Sequence, residues 1–192
     1  MARSLRNLHA PWRIDFILGP KAKGCFLCTA ARLPEPLAGV GSVRGVQGAA
    51  RAPGAKAGQR WKQWLLLART DLCTVVMNRY PYTGGHLLIS PRRHSSDFSA
   101  LPSAVTAEMM RLASISTGVL DEVMHPHGFN LGMNLGTAAG AGIKDHLHLH
   151  VIPRWTGDTN FLPLVADVTQ VPVAIDALYD QLKPVFDRAV KK

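Results

Sequence analysis

The chain has 192 residues, 22 Lys and Arg against 13 Asp and Glu, a formal net charge of +9 and 47% hydrophobic residues. That is ample for one buried domain, and no apolar run nears the ~20 residues a membrane-spanning helix needs. The positive balance suits nucleotide phosphates and nucleic acid alike, so charge alone does not choose between them.

Four stretches follow one another: 1–33, 34–60, 61–165 and 166–192. The first 24 residues carry basic side chains but no sustained apolar region, which predicts no signal peptide and a cytoplasmic protein. Pro11-Trp12-Arg13-Ile14 is expected to pack beside the domain or against a second subunit. Cys25-Phe-Leu-Cys28 is expected to open a short helix with its thiols close together. Three cysteines make no disulfide framework, so this pair is metal-binding or redox-active, and no thioredoxin-like unit surrounds it. Residues 34–60 are rich in Gly, Ala and Pro, and Arg44, Arg51, Lys56 and Arg60 have no acid between them. This composition predicts a solvated, mobile insertion in preference to a nucleic-acid contact.

Trp64–Ala68 and Leu72–Asn78 read as strands around a turn at Arg69-Thr-Asp71. Pro81–Gly85 reads as a loop and His86–Ser90 as a third strand, an antiparallel meander. Cys73, in the apolar run Cys73-Thr-Val-Val-Met77, is expected to be a buried small hydrophobe. Val105, Met109, Leu112, Val119 and Val123 fall at helical spacing from Ser103 onward, and His125-Pro-His-Gly128 ends that helix. His125 and His127 therefore belong to a helix terminus. Phe129–Leu135 and His146–Ile152 complete the strands. Ile175, Leu178, Leu182, Val185 and Ala189 mark a C-terminal helix, which Pro184 is expected to bend. Strands and helices in runs mean an α+β fold.

The most informative stretch is Gly140-Ala-Gly-Ile-Lys-Asp-His-Leu-His-Leu-His-Val-Ile-Pro-Arg-Trp155. His146, His148 and His150 alternate with Leu147, Leu149 and Val151, so on a strand all three imidazoles leave one face, ~6.5–7 Å apart. The glycines upstream let backbone N–H groups meet an anion. This spacing supports a metal site, since His-x-His on a strand suits zinc, and equally phosphate chemistry with histidine as nucleophile.

His146-Leu-His-Leu-His150 followed by Val-Ile-Pro-Arg resembles the signature of the histidine triad (HIT) superfamily of nucleotide hydrolases and transferases. Asn78-Arg-Tyr-Pro-Tyr-Thr-Gly-Gly-His-Leu-Leu-Ile-Ser-Pro-Arg-Arg-His94 resembles its upstream block, and Gly128-Phe-Asn-Leu-Gly-Met-Asn134 the strand before the triad. Trp155-Thr-Gly-Asp-Thr-Asn-Phe161 resembles an extension found in the branch that cleaves diadenosine polyphosphates. The resemblance implies a HIT-like fold: an antiparallel sheet of about five strands with a long helix and a C-terminal helix. It also implies a homodimer or larger homo-oligomer that acts on a nucleotide; from the residues themselves, no membrane or nucleic-acid partner is expected.

Residue by residue, the resemblance implies a structural zinc held by Cys25, Cys28, His94 and His146. It makes His148 the nucleophile that attacks the α-phosphorus of a dinucleoside polyphosphate, forming a nucleotidyl-histidine that water or phosphate discharges. His150 would steady a phosphoryl oxygen, with His86 in support. Gly140, Gly142 and Ile143 would offer backbone N–H groups, Asn134 would touch phosphate, Asn78 the ribose, and Trp155 would meet the second nucleotide or a subunit interface, or else simply pack. Asp158 and Asn160 read as loop-capping residues. The Gly140–His146 loop is one residue longer than in the fragile-histidine-type hydrolases and resembles that of the extended branch. Three rivals stay open: hydrolysis of smaller phosphoramidates or adenylates by the same triad, water activated on a catalytic zinc, and a non-enzymatic nucleotide-binding regulator.

Overall fold

A computed structural model describes residues 24–36, 53–139, 145–158 and 174–191. Helices α1 (Phe26–Ala31) and α2 (Pro53–Gln63) precede strands β1 (Leu66–Arg69), β2 (Cys73–Met77) and β3 (Leu87–Pro91). Then come α3 (Ser103–Met124), β4 (Gly128–Met133), β5 (Leu149–Arg154) and α4 (Ile175–Ala189). The five strands form one sheet in the order β1-β2-β3-β5-β4, with every pairing antiparallel. The α+β expectation therefore holds, and only the first three strands form a meander, because β5 returns between β3 and β4.

Side-chain alternation divides the sheet into two faces. Cys73, Val75 and Met77 of β2, Leu87 and Ile89 of β3, and Leu149 and Val151 of β5 point into one cluster. There Met109, Leu112 and Leu120 of α3 and Leu178, Leu182 and Phe186 of α4 cover them. Cys73 is buried as expected, and burial pushes its thiol up to about 12. Leu66, Val76 and Leu88 face the other way, against Leu27, Ala30, Leu33 and Trp61. Leu88 is paired with His150 in the ladder, so the histidine shares this second face. The N-terminal segment caps that face, and this is what brings Cys25 toward the histidine row.

Arg69 fastens the segment to the sheet. Its guanidinium, 8% exposed, donates to the carbonyls of Ala31 (3.1 Å) and Leu33 and pairs with Glu35. Cationic fingers on the last carbonyls of a short helix satisfy groups that have no partner within it. Trp61 donates to the Pro34 carbonyl at 2.8 Å, and the Arg69 and Lys183 cations lie 5.4 and 5.0 Å from its ring centroid.

Three local expectations differ from the structure. Residues 53–60 belong to α2 and are not loop; Trp61 turns its apolar ring into the second cluster, and packing of that kind stabilises a helix that composition alone does not. Residues 37–52 of the 34–60 stretch lie outside the described residues, as do the Pro11–Ile14 lead-in and Asn160. The first strand starts at Leu66, not Trp64, because α2 runs almost directly into it through Leu65 at φ 55°. The last strand starts at Leu149, not His146. The C-terminal helix forms as expected, with Pro184 inside it. As expected, α3 ends at His125, left-handed at φ 48°, its N–H returning to the Asp121 carbonyl at 3.1 Å.

Candidate active site and metal centre

The histidine row leaves the sheet where β3 runs out. The ladder ends with Ile89 opposite Leu149, and β3 finishes at Pro91. From there the chain is held by other bonds: Leu147 N–H donates to the Ser95 carbonyl, and the His146 ring reaches the Pro91 carbonyl, both at 2.8 Å. His146, His148 and His150 are all buried.

A carbonyl can only accept, so each such contact fixes a histidine tautomer. His146 Nε2–H donates to Pro91, which leaves the Nδ1 lone pair facing the cysteines. That Nδ1 lies 3.1 Å from Cys25 Sγ and 3.5 Å from Cys28 Sγ, while His94 Nδ1 lies 3.2 Å from Cys28 Sγ. The four candidate ligand atoms of Cys25, Cys28, His94 and His146 all lie within 4.8 Å of one another. The cluster joins residues over 100 positions apart in sequence. Burial raises the Cys28 thiol and Cys25 adds to the rise. Burial also lowers His146.

His148 is fixed the other way round. Its Nδ1–H donates to the His146 carbonyl at 2.9 Å, so Nε2 carries the lone pair. Burial holds His148 below the usual imidazole range and pushes His150 down to about 4, with His148 contributing to the latter. Both rings are therefore neutral at pH 7. They meet edge to face with centroids 4.9 Å apart.

His150 ends a chain of hydrogen bonds. His86 Nδ1 accepts the Tyr82 backbone N–H and the Asn78 amide, each at 3.2 Å. His86 Nε2 must then carry the proton, and it donates to His150 Nδ1 at 2.8 Å. This puts the His150 proton on Nε2, a buried position with no hydrogen-bond partner among the described residues. A buried polar atom without a partner costs free energy unless something else pairs with it. Tyr82 also stacks on His86, centroids 5.0 Å apart and planes 19° apart.

The remaining expected residues divide into those brought near this chain and those not described. Asn78 touches His86 directly. Asn134 follows β4, and the β4–β5 register carried one step past Met133–Leu149 sets it opposite His148. Trp155 sits one residue beyond β5, half-buried in a turn where its N–H donates to Asp158 Oδ2 at 3.2 Å. Arg154 braces that turn through Asp158 (2.5 Å) and Asn130 (2.7 Å), so Asp158 caps the turn. Gly140, Gly142 and Ile143 lie outside the described residues. His127 ties the α3 terminus to Thr156, whose N–H it accepts at 2.9 Å. Sequence reasoning missed Tyr82 and Pro91, which act through a ring face and backbone atoms that residue spacing does not signal.

Comparisons with known proteins identify the family to which this fold belongs. Over 111 residues the chain is 41% identical to an AP-4-A phosphorylase of Mycobacterium tuberculosis, covering 58% of this chain and 57% of that one. It is 33% identical over 90 residues to an adenylylsulfatase of Arabidopsis thaliana, covering 47% of this chain and 45% of that one. The match thus spans about half the length of these curated relatives. Among solved structures, a Zn-bound histidine triad family protein from Mycobacterium smegmatis superposes with a TM-score of 0.55 at 23% identity, over 66% of this chain and 86% of that one. At that identity the likeness establishes the fold. A HIT domain model matches residues 62–157, half of the chain, and with it the chain belongs to the HIT family.

Proposed function

We propose that this protein cleaves dinucleoside polyphosphates such as diadenosine tetraphosphate at an α-phosphate through a nucleotidyl-His148 intermediate. The observation that carries the reading is the opposed pair of tautomers: a bare Nε2 on His148 beside a protonated Nε2 on His150 that has no hydrogen-bond partner among the described residues. A nucleophile next to a hydrogen-bond donor is what a phosphoryl centre needs, one to attack and one to meet the charge on its oxygens. The 41% identity to an AP-4-A phosphorylase supports the substrate class.

In the first step His148 Nε2 forms a P–N bond to the α-phosphorus and the P–O bond to the polyphosphate breaks. ATP leaves from diadenosine tetraphosphate and the adenylyl group stays on His148. No proton need be removed beforehand, because neutral imidazole has its lone pair available. His148 Nδ1–H, held by the His146 carbonyl, stabilises the positive charge the ring gains. His150 Nε2–H donates to a phosphoryl oxygen. In the second step water yields AMP, or inorganic phosphate yields ADP, and His148 is restored. Asn134, Trp155 and the 140–143 loop are assigned to phosphate and nucleotide contact on the family resemblance, and Asn78 to the ribose.

The Cys25, Cys28, His94 and His146 cluster fits zinc. Tetrahedral zinc with sulfur at ~2.3 Å and nitrogen at ~2.0–2.1 Å gives sulfur–nitrogen edges of roughly 3.5 Å, against the 3.1–3.5 Å seen here. His146 also has the outer hydrogen bond, to Pro91, that orients metal-bound imidazoles. Four protein ligands fill the tetrahedron, so the ion's contribution is to anchor the N-terminal segment and the row's first histidine. Its ligand set argues against water activation there. Thiols kept for a metal suit the reducing cytoplasm. A homodimer joined at β4 fits the sheet, whose outer strand and its extension leave Leu131 and Leu135 45% and 47% exposed. No helix of the described residues is long and apolar enough to cross a membrane.

A second reading, hydrolysis of a smaller adenylate by the same histidines, is favoured by the 33% identity to an adenylylsulfatase. Product analysis separates the two. Incubation of diadenosine tetraphosphate with and without phosphate should give ATP with ADP or AMP. No turnover of that substrate alongside rapid cleavage of an adenylate would transfer the assignment, and tight binding without turnover of either would favour the regulator.

A further inference from the structure

Asn78 has a second feature beyond its resemblance to a ribose-contacting residue: its carboxamide cannot be turned round. Oδ1 accepts the Tyr80 backbone N–H at 3.0 Å, and a backbone N–H can only donate. Nδ2 is therefore the group that meets His86 Nδ1 at 3.2 Å. The Tyr82 backbone N–H meets the same ring nitrogen at 3.2 Å, and Asn78 N–H donates to the His86 carbonyl at 2.8 Å. The 78–86 loop is closed on itself around one imidazole. Tyr82 adds a ring stacked on that imidazole and tilted 6.3 Å from His150.

We propose that Asn78 is a positioning residue that sets the direction of the hydrogen-bond chain running through His86 to His150. With two donors converging on Nδ1, His86 is held as the Nε2–H tautomer. It delivers that hydrogen to His150 Nδ1 and so obliges His150 to present Nε2–H at the row. If the order were reversed, His150 would present a lone pair there, which repels a phosphoryl oxygen. The Asn78 amide, oriented by Tyr80, and the Tyr82 backbone N–H thus act together to make His150 a donor at the row. One amide hydrogen and one oxygen lone pair remain on Asn78, so a ribose contact is compatible with this role. The consequence for turnover rests on the function proposed above; the tautomers do not.

The test is a change of one atom type with the side-chain shape kept. In Asn78→Asp, one carboxylate oxygen still accepts from Tyr80, and the other sets an acceptor against His86 Nδ1. Long-range proton–nitrogen correlation spectra of histidine-labelled protein distinguish protonated from bare ring nitrogens. The wild type should have a bare Nδ1 and a protonated Nε2 on both His86 and His150. In the variant the His86 Nδ1 should gain a proton, and kcat on diadenosine tetraphosphate should fall by about 10²-fold. A wild-type His86 protonated at Nδ1 would overturn the inference, and that measurement needs no variant to fold. So would an Asn78→Asp protein with an unchanged nitrogen pattern, or one with a reversed pattern and full kcat. A wild type with the expected pattern but no turnover of dinucleotides would remove the proposed function and leave Asn78's control of the tautomers in place.

Discussion

The metal end and the reacting end of the histidine row are made of the same residue type, yet they face the world with different nitrogens. At the first end His146 gives its Nε2–H to Pro91 and turns Nδ1 to two thiols. At the other end His148 gives Nδ1–H to the His146 carbonyl and keeps Nε2 bare. His150, next along, accepts at Nδ1 and carries a proton on Nε2. Burial lowers all three, so none relies on a permanent charge. In the proposed reaction, what separates ligand, nucleophile and donor is the group that occupies the opposite nitrogen. The function of each histidine is thus written in its neighbour.

The comparison can be broken most severely at His148. His148→Ala should lower turnover of a dinucleoside polyphosphate by at least ~10³-fold, since no other described side chain offers a bare nitrogen in the same position. Zinc content by mass spectrometry should not change, because the Nδ1 of His146 keeps its partners. A loss of zinc in this variant would mean the two ends are not separable.

Gly85 tests the backbone that carries His86. It sits at φ +81°, and an added Cβ would lie 2.7 Å from Met124 Sδ, 3.1 Å from Pro153 and 3.2 Å from Leu120. Gly85→Ala combines a left-handed backbone with overpacking and should cost about 2–4 kcal/mol. Urea unfolding at fixed pH measures it; a loss under ~0.5 kcal/mol would mean the loop yields easily and does not hold His86 in place.

At the metal end, Cys28→Ala should lower the melting temperature by roughly 5–10 °C, equivalent to ~2–3 kcal/mol for a chain of this size. A chelator should do the same to the wild type and nothing further to the variant. Below its own melting point the variant should keep most of its turnover. Complete inactivation with the fold intact would instead implicate the metal in the reaction.

The last effect concerns protons. His150 titrates at about 4 in the fold, against ~6.5 when unfolded. Between those values the unfolded chain binds more protons, so this contribution is complete above ~6.5 and is lost as pH falls toward 4. Stability of the wild type should therefore decline more steeply over that window than that of His150→Gln. Comparing the two removes the shared loss of metal at low pH. Parallel curves would mean that His150 is not held neutral by burial.

Much of this was legible in the sequence because period and chemistry coincide. The alternation at 146–151 announced one polar and one apolar side, and Leu149 and Val151 do enter the helix-covered core. Cys25-x-x-Cys28 was legible as a pair, but its meeting with His94 and His146 is a long-range contact that composition cannot specify. The ladder's end at Leu149 was hidden because the deciding groups are backbone carbonyls, those of Pro91 and Ser95. Helix α2 was missed for another reason: Pro53-Gly-Ala-Lys has weak helical propensity, and the contact that stabilises it, Trp61 against Pro34 and Arg69, lies outside its own sequence. The role of Asn78 was half visible, since its side chain was expected near substrate while its hold on His86 depends on where Tyr80 N–H points.

The most direct measurement is the intact mass of the protein shortly after mixing with diadenosine tetraphosphate, quenched under conditions that preserve a phosphorus–nitrogen bond. The wild type should gain one adenylyl group, His148→Ala should gain none, and added phosphate should discharge the adduct as ADP if phosphate is the acceptor. Product formed at full rate with no adduct at any time, or an adduct that persists in His148→Ala, would contradict attack by His148.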